Sequence, residues 1–79
     1  MRRNMKSKNI SGINIAKHRK KAGLTQLELS EALNKSGINL DRAGIAKIER
    51  GLRNVLDYEL LAFCKVLKVG IDRLLRGKR

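Results

Sequence analysis

Nineteen Lys and Arg residues stand against seven Asp and Glu in 79 residues, a formal net charge of +12. The isoelectric point is near 10.8. Self-repulsion on that scale destabilises a small chain, so a polyanion is the expected partner. Nucleic acid is the first candidate and an anionic membrane surface the second. Tyr58 and Phe63 are the only aromatic residues. A stacking platform for single strands is therefore nearly absent, which favours duplex DNA. Catalysis finds little to work with. His18 is the only histidine, with no second His or nearby Cys, and Cys64 is the only cysteine. Neither a cysteine-based zinc site nor a disulfide within the chain can be built, and no metal, cofactor or small-molecule ligand is expected.

A chain this short buries about 60% of the surface its unfolded form exposes, enough for one small domain of modest stability and little room for a deep pocket. No apolar run approaches the roughly 18 residues of a membrane span. The basic start is followed by no signal-type apolar core, so a cytoplasmic protein without membrane contact is expected. Residues 1–10 read as a disordered basic arm, residues 11–76 as the folded domain, and residues 77–79 as a basic tail.

Within the domain, apolar spacing predicts five helices and no strand, an all-α fold. The first runs from about Gly12 to Ala22, with Ile15, Ala16, Arg19 and Ala22 at helical spacing, and Gly23 suits the left-handed residue that closes it. Thr25 and Glu28 form a capping-box pattern that opens the second helix, which continues to about Lys35; Leu24 and Leu29 are placed to staple its start. Asp41 is the predicted N-cap of the third, which Gly51 stops. A fourth opens at Asp57 and ends at Gly70, with Leu60, Phe63, Cys64 and Leu67 on one face widened by Leu61. A short fifth covers Asp72 to Arg76. Most acidic residues sit in or beside first turns, where they offset the positive helix end; Glu49 alone needs another explanation.

Four pieces then occur in order: Arg19 ahead of Gly23; Gly23-Leu24-Thr25-Gln26 with Leu29, Ala32 and Leu33; Ile45-Ala46-Lys47-Ile48-Glu49-Arg50-Gly51; and Tyr58-Glu59-Leu60-Leu61 through Val69. Together they resemble the lambda-repressor-like family of helix-turn-helix DNA-binding domains, the Cro and repressor type also called the XRE family. The resemblance covers about Gly12 to Leu75 and implies a compact five-helix fold, with motif helices at about 25–36 and 42–50. It further implies that the second of these is the recognition helix, seated in the major groove.

Carried over position by position, the resemblance makes Arg42, Ala43 and Lys47 the base-reading residues. Arg42 would contact guanine O6 and N7, Lys47 would make a looser contact, and Ala43 would touch a thymine methyl. The helical spacing agrees, since Ile45 and Ile48 turn inward and leave these three, with Ala46 and Arg50, on the outer face. Gln26, Arg50, Arg53 and Asn54 are the expected phosphate ligands. Arg19 and Glu49 would form a partly buried ion pair between the first and third helices. Arg2, Arg3 and Lys6 of the arm either follow DNA into a narrow minor groove or belong to a solubilising tail.

The sequence departs from the family pattern in one place. Eleven residues separate Leu33 from Ile45, several more than the usual turn, so either the second helix is extended or the turn is enlarged, with Ile38 and Leu40 tucked into the core. Cys64 reads as an inert core thiol, His18 as an exposed residue, and Tyr58 and Phe63 as core or helix-end packing.

The expected function is sequence-specific double-stranded DNA binding by a transcription regulator, a repressor acting as a homodimer on an inverted repeat, with no enzymatic activity. Leu52, Val55, Leu74 and Leu75 are the dimer-contact candidates. Two alternatives differ in class. One is a protein-interaction module on the same scaffold, antitoxin-like or an anti-repressor partner. The other is a non-specific binder that relies on charge alone.

Overall fold

A computed structural model of the chain describes residues 10–76. It contains five helices: α1 (Ile10–Lys21), α2 (Gln26–Lys35), α3 (Arg42–Glu49), α4 (Asp57–Leu67) and α5 (Ile71–Leu75). There is no strand among the described residues, and none of these helices is long and apolar enough to cross a membrane. The expected arm residues Arg2, Arg3 and Lys6, and the tail 77–79, lie outside the described residues. α1 begins at Ile10, ahead of the expected start at about Gly12.

The core has one centre. Ile15 of α1, Leu29 and Leu33 of α2, Ile45 and Ile48 of α3, Phe63 and Leu67 of α4, and Leu74 of α5 are all buried. Each is an inward position of its helix, and pooling the five stripes removes them from water together. α1 lies against α3, α4 and α5, while α2 packs on α3 and α4. Leu74, considered above for a dimer contact, is fully buried, and Val55 is half-buried against the core. Tyr58 and Leu61 depart the other way: both are 59% exposed and add nothing to the core.

The first four helices stop by the same device, a left-handed residue followed by an amide that bonds back to the last turn. Leu24 N–H donates to the Arg19 carbonyl, Ile38 to Leu33, Leu52 to Lys47 and Val69 to Cys64. The left-handed residues are Gly23, Gly37, Gly51 and Lys68. Three are glycines, which take this conformation without strain. Lys68, at φ 59°, carries the strain a side chain meets there. The fourth helix thus ends at Lys68 and not at Gly70, whose extended backbone instead opens α5.

The same closure settles the long connection between α2 and α3. α2 is not extended; it ends at Lys35, and Gly37 turns the chain so that Ile38 folds back half-buried on the core and Leu40 is buried. The surplus residues form an enlarged turn anchored at two points.

Two further contacts fix the helices. Gly12 sits where α1 meets the end of α3, and a Cβ built there would lie 2.1 Å from the Ile48 carbonyl oxygen. Asn14, buried, donates from its side-chain amide to the Leu74 carbonyl at 3.0 Å and to the Arg76 carbonyl. It thereby pins the end of α5 to α1.

Candidate nucleic-acid interface

α3 is held in place by its C-terminal glutamate. The Glu49 carboxylate accepts from Arg19 Nε at 2.7 Å, Arg19 Nη2 at 3.1 Å and the Gln26 side-chain amide at 2.9 Å. Arg19 Nη1 donates in turn to the Leu24 carbonyl at 2.8 Å. Little of either charged side chain reaches solvent, 11% for Arg19 and 7% for Glu49. One two-pronged pair therefore ties the end of α1, the start of α2 and the end of α3 into a single unit. The expected Arg19–Glu49 pair is present, and Gln26 buttresses the same carboxylate. That bond occupies one Gln26 amide hydrogen and leaves the other, with the side-chain oxygen, for an external group.

The start of α2 is organised as its sequence predicts. Glu28 N–H donates to Thr25 Oγ1 at 3.0 Å, and Thr25 N–H donates to Glu28 Oε1 at 2.9 Å, a complete capping box. Asp41 caps α3 by accepting from Gly44 N–H at 2.8 Å.

From this seat α3 presents Arg42, Ala43 and Lys47 to solvent, while Ile45 and Ile48 are buried beneath them. Arg50 is exposed just past the helix, and Asn54 is exposed in the following loop. Ala46 is only half-exposed. Gly44 does not contribute to the outer face as its small size suggests; it packs against Leu40, whose Cδ2 lies 2.6 Å from where its Cβ would be. The surface is short side chains flanked by long cations, a shape that lets a helix approach a groove closely while the cations reach out.

Arg53, an expected phosphate ligand, is already engaged within the chain. Its Nη1 and Nη2 donate to the two Glu59 oxygens at 3.0 and 2.9 Å, and Nη1 donates also to the Asn54 carbonyl. Nε–H and one Nη2 hydrogen remain. Glu59 is buried and also accepts from Leu56 N–H at 2.9 Å, so it anchors the α3–α4 loop to the start of α4. Its first-turn position suggested only a helix-dipole role. The signal that was missed is an arginine six residues upstream in a loop that must turn back.

Hydrogen bonding from Arg53 holds the Glu59 carboxyl below the usual carboxylate range, against the opposing effect of burial. The sign follows. The stabilisation is fully present above the ordinary Glu value of 4.5 and is lost as pH falls through the depressed folded value. Glu59→Gln is expected to cost about 1.5–3 kcal/mol at neutral pH, the range for hydrogen bonds to charged groups. It should also flatten the acid limb of a plot of stability against pH. Denaturant melts at several pH values check this; a mutant with an unchanged acid limb removes Glu59 from the account.

Apolar side chains also reach solvent beside this surface. Leu52 is 67% exposed and Leu56 45%, with Tyr58 and Leu61 beyond them on α4 and Leu75 exposed on α5. His18 is half-buried, not exposed as expected, because α1 runs past the junction of α4 and α5. Cys64 is half-buried against the core, and burial pushes its thiol pKa up, with a smaller contribution from Asp72. The thiolate is thereby disfavoured, which suits a packing residue. Among the described residues no group of three His, Cys, Asp or Glu side chains is placed to hold a metal ion.

Comparison with known proteins agrees with this arrangement. No curated protein matches the chain. A helix-turn-helix family model matches residues 15–74, a span that takes in the Arg19–Glu49–Gln26 unit, both motif helices, α4 and most of α5. With the all-helical fold and the exposed face of α3, this match shows that the chain belongs to the Cro- and repressor-type helix-turn-helix family, whose domains bind double-stranded DNA.

Proposed function

We propose that this chain is a sequence-specific transcription regulator of the repressor type, reading an inverted-repeat operator as a homodimer. The observation that carries the reading is the outer face of α3. Arg42, Ala43 and Lys47 stand exposed on a helix whose opposite face is locked by Ile45, Ile48 and Glu49. A rigid support keeps side chains in register with base edges, and a good bidentate contact discriminates by about 1–3 kcal/mol. Arg42 reads guanine, Lys47 makes a looser contact and Ala43 meets a thymine methyl. Gln26, Arg50 and Asn54 contact phosphates on either side, and Arg53 adds the two hydrogens that Glu59 and the Asn54 carbonyl leave.

One short helix reads only a few base pairs, so selectivity over a genome favours two copies on a symmetric site. Leu52, the most exposed large apolar side chain among the described residues, is the main candidate for the contact, with Leu75 as a second. The exposed apolar residues Leu56, Tyr58 and Leu61 also support the protein-interaction alternative, in which the scaffold captures a different protein.

Titration of isotope-labelled protein with a mixed-sequence duplex tests the proposed face. Amide shifts should concentrate at Gln26–Glu28, Arg42–Lys47 and residues 50–54. Shifts confined to α4 and α5 would contradict the reading.

A further inference from the structure

A second cationic surface lies away from α3. The C-terminal ends of α1 and α4 and the start of α5 enclose a groove of about 350 Å³. Its lining includes His18, Lys21, Lys68 and Arg73 over an apolar floor of Leu67 and Val69, and contains no acidic side chain. Neither α2 nor α3 contributes to it. We propose that this groove is a binding site for a phosphate-type oxyanion, held by Lys21, Lys68 and Arg73 with His18 as a fourth donor.

The lining and its chemistry support the site. Four groups that can carry positive charge surround one concavity, and low-dielectric walls focus such a field onto a bound anion. The chemistry is complementary, since a guanidinium fork and ammonium groups bind tetrahedral oxyanions by charge-assisted hydrogen bonds.

The charges acting on His18 come from α1 and α5, and Lys68 at the end of α4 completes the groove wall. Lys17 and Lys21 belong to α1 and Arg73 to α5; partial burial and these three cations, in the order burial, Lys21, Arg73 and Lys17, lower its pKa. The one acid of α5, Asp72, raises the Cys64 thiol pKa and lies beside Gly70 of the groove lining, its Oδ1 2.9 Å from where a Cβ there would stand. The three cations add to the effect of burial at the imidazole, and a bound dianion would oppose them. The anion has two possible sources, a free phosphorylated small molecule or a backbone phosphate of bound DNA.

His18 is the only histidine, so its ring protons report on the site alone in an NMR pH titration. Sulfate serves as the probe, exchanged for chloride at constant ionic strength, because it stays a dianion throughout. Sulfate is expected to raise the His18 pKa by about half a unit or more, as an opposite charge close by does. The double variant Lys68→Gln/Arg73→Gln, altered only at exposed positions, should lose that response while keeping the wild-type amide spectrum. No sulfate shift, or an equal shift in the double variant, would overturn the site.

A parallel titration in chloride with a mixed-sequence duplex separates the sources. A rise that needs Arg73 assigns the groove to a DNA phosphate. No rise, with the sulfate response intact, assigns it to a free anion. The sulfate arm contains no DNA, so its failure leaves the reading of α3 untouched, and failure of that reading leaves the sulfate result standing.

Discussion

Glu49→Ala is expected to destabilise the domain by about 3–5 kcal/mol, the typical cost of removing one partner of a buried ion pair. The carboxylate accepts three hydrogen bonds, two from Arg19 and one from Gln26. Without it the Arg19 guanidinium, almost shielded from water, keeps only the Leu24 carbonyl. An uncompensated buried charge costs more than the pair itself is worth, so the loss exceeds that of an ordinary surface bridge. Domains this small have total stabilities of roughly 5–15 kcal/mol at most, making the change a large share of the whole. The melting temperature should fall by about 12 °C or more, taking about 4 °C per kcal/mol for this size. A thermal melt followed by circular dichroism checks it, and an unchanged midpoint contradicts the role given to the pair. Gln26 would also lose its support, so DNA affinity should weaken even well below the melt.

Gly12→Ala should be the second severe change, although a helical glycine replaced by alanine usually gains about 0.5–1 kcal/mol. The added Cβ would stand 2.1 Å from the Ile48 carbonyl oxygen and 3.2 Å from its carbon. Both are backbone atoms, so no side chain can swing aside, and α1 must move off the end of α3 by more than an ångström. Overpacking of this kind costs about 1–3 kcal/mol and occasionally more. The displacement also pulls on Glu49, the next residue, and hence on the Arg19 pair. Gly44→Ala provides the control. Its Cβ meets side-chain atoms only, Leu40 Cδ2 at 2.6 Å and Asp41 Oδ1 at 3.1 Å, and a side-chain end yields more readily than backbone, so a smaller change is expected in the same denaturant titration. Equal effects at the two glycines would refute the backbone-clash explanation.

These two residues show what was legible in the sequence and what was not. The Thr25–Glu28 cap, the Asp41 cap and the inward pair Ile45 and Ile48 depend on spacing within one helix, and local spacing is written in the chain. Arg19 with Glu49 is 30 residues apart; it was legible only through resemblance to a family. Gly12 was not legible as a contact, because a glycine near a helix start looks the same whether it faces solvent or a backbone. Asn14 was missed for the same reason, since nothing nearby in sequence marks the carbonyls of Leu74 and Arg76 as its partners. Arg53 and Glu59 misled because an acidic first-turn residue has a sufficient local explanation. The exposure of Tyr58 and Leu61 and the half-burial of His18 depend on how α4 and α5 sit against α1. Periodicity names the apolar face of a helix but not how far its neighbours cover it.

The exposed face of α3 was legible almost in full. Arg42, Ala43 and Lys47 emerge exposed, and the enlarged turn before them leaves α3 capped at Asp41. The turn takes up its surplus by folding Ile38 and Leu40 inward, so the register of Asp41–Gly51 is undisturbed. That is why a departure in length need not become a departure in the geometry of α3.

Selection from a random duplex library at near-physiological salt, with wild type beside Arg42→Ala, tests the central claim most directly. Enrichment of an inverted repeat with half-sites one helical turn, about 34 Å, apart is expected. The preferred base under Arg42 should relax in the variant, while the rest of the motif is kept. Retention of DNA by both proteins without any enriched sequence would contradict specific readout and leave binding by charge alone.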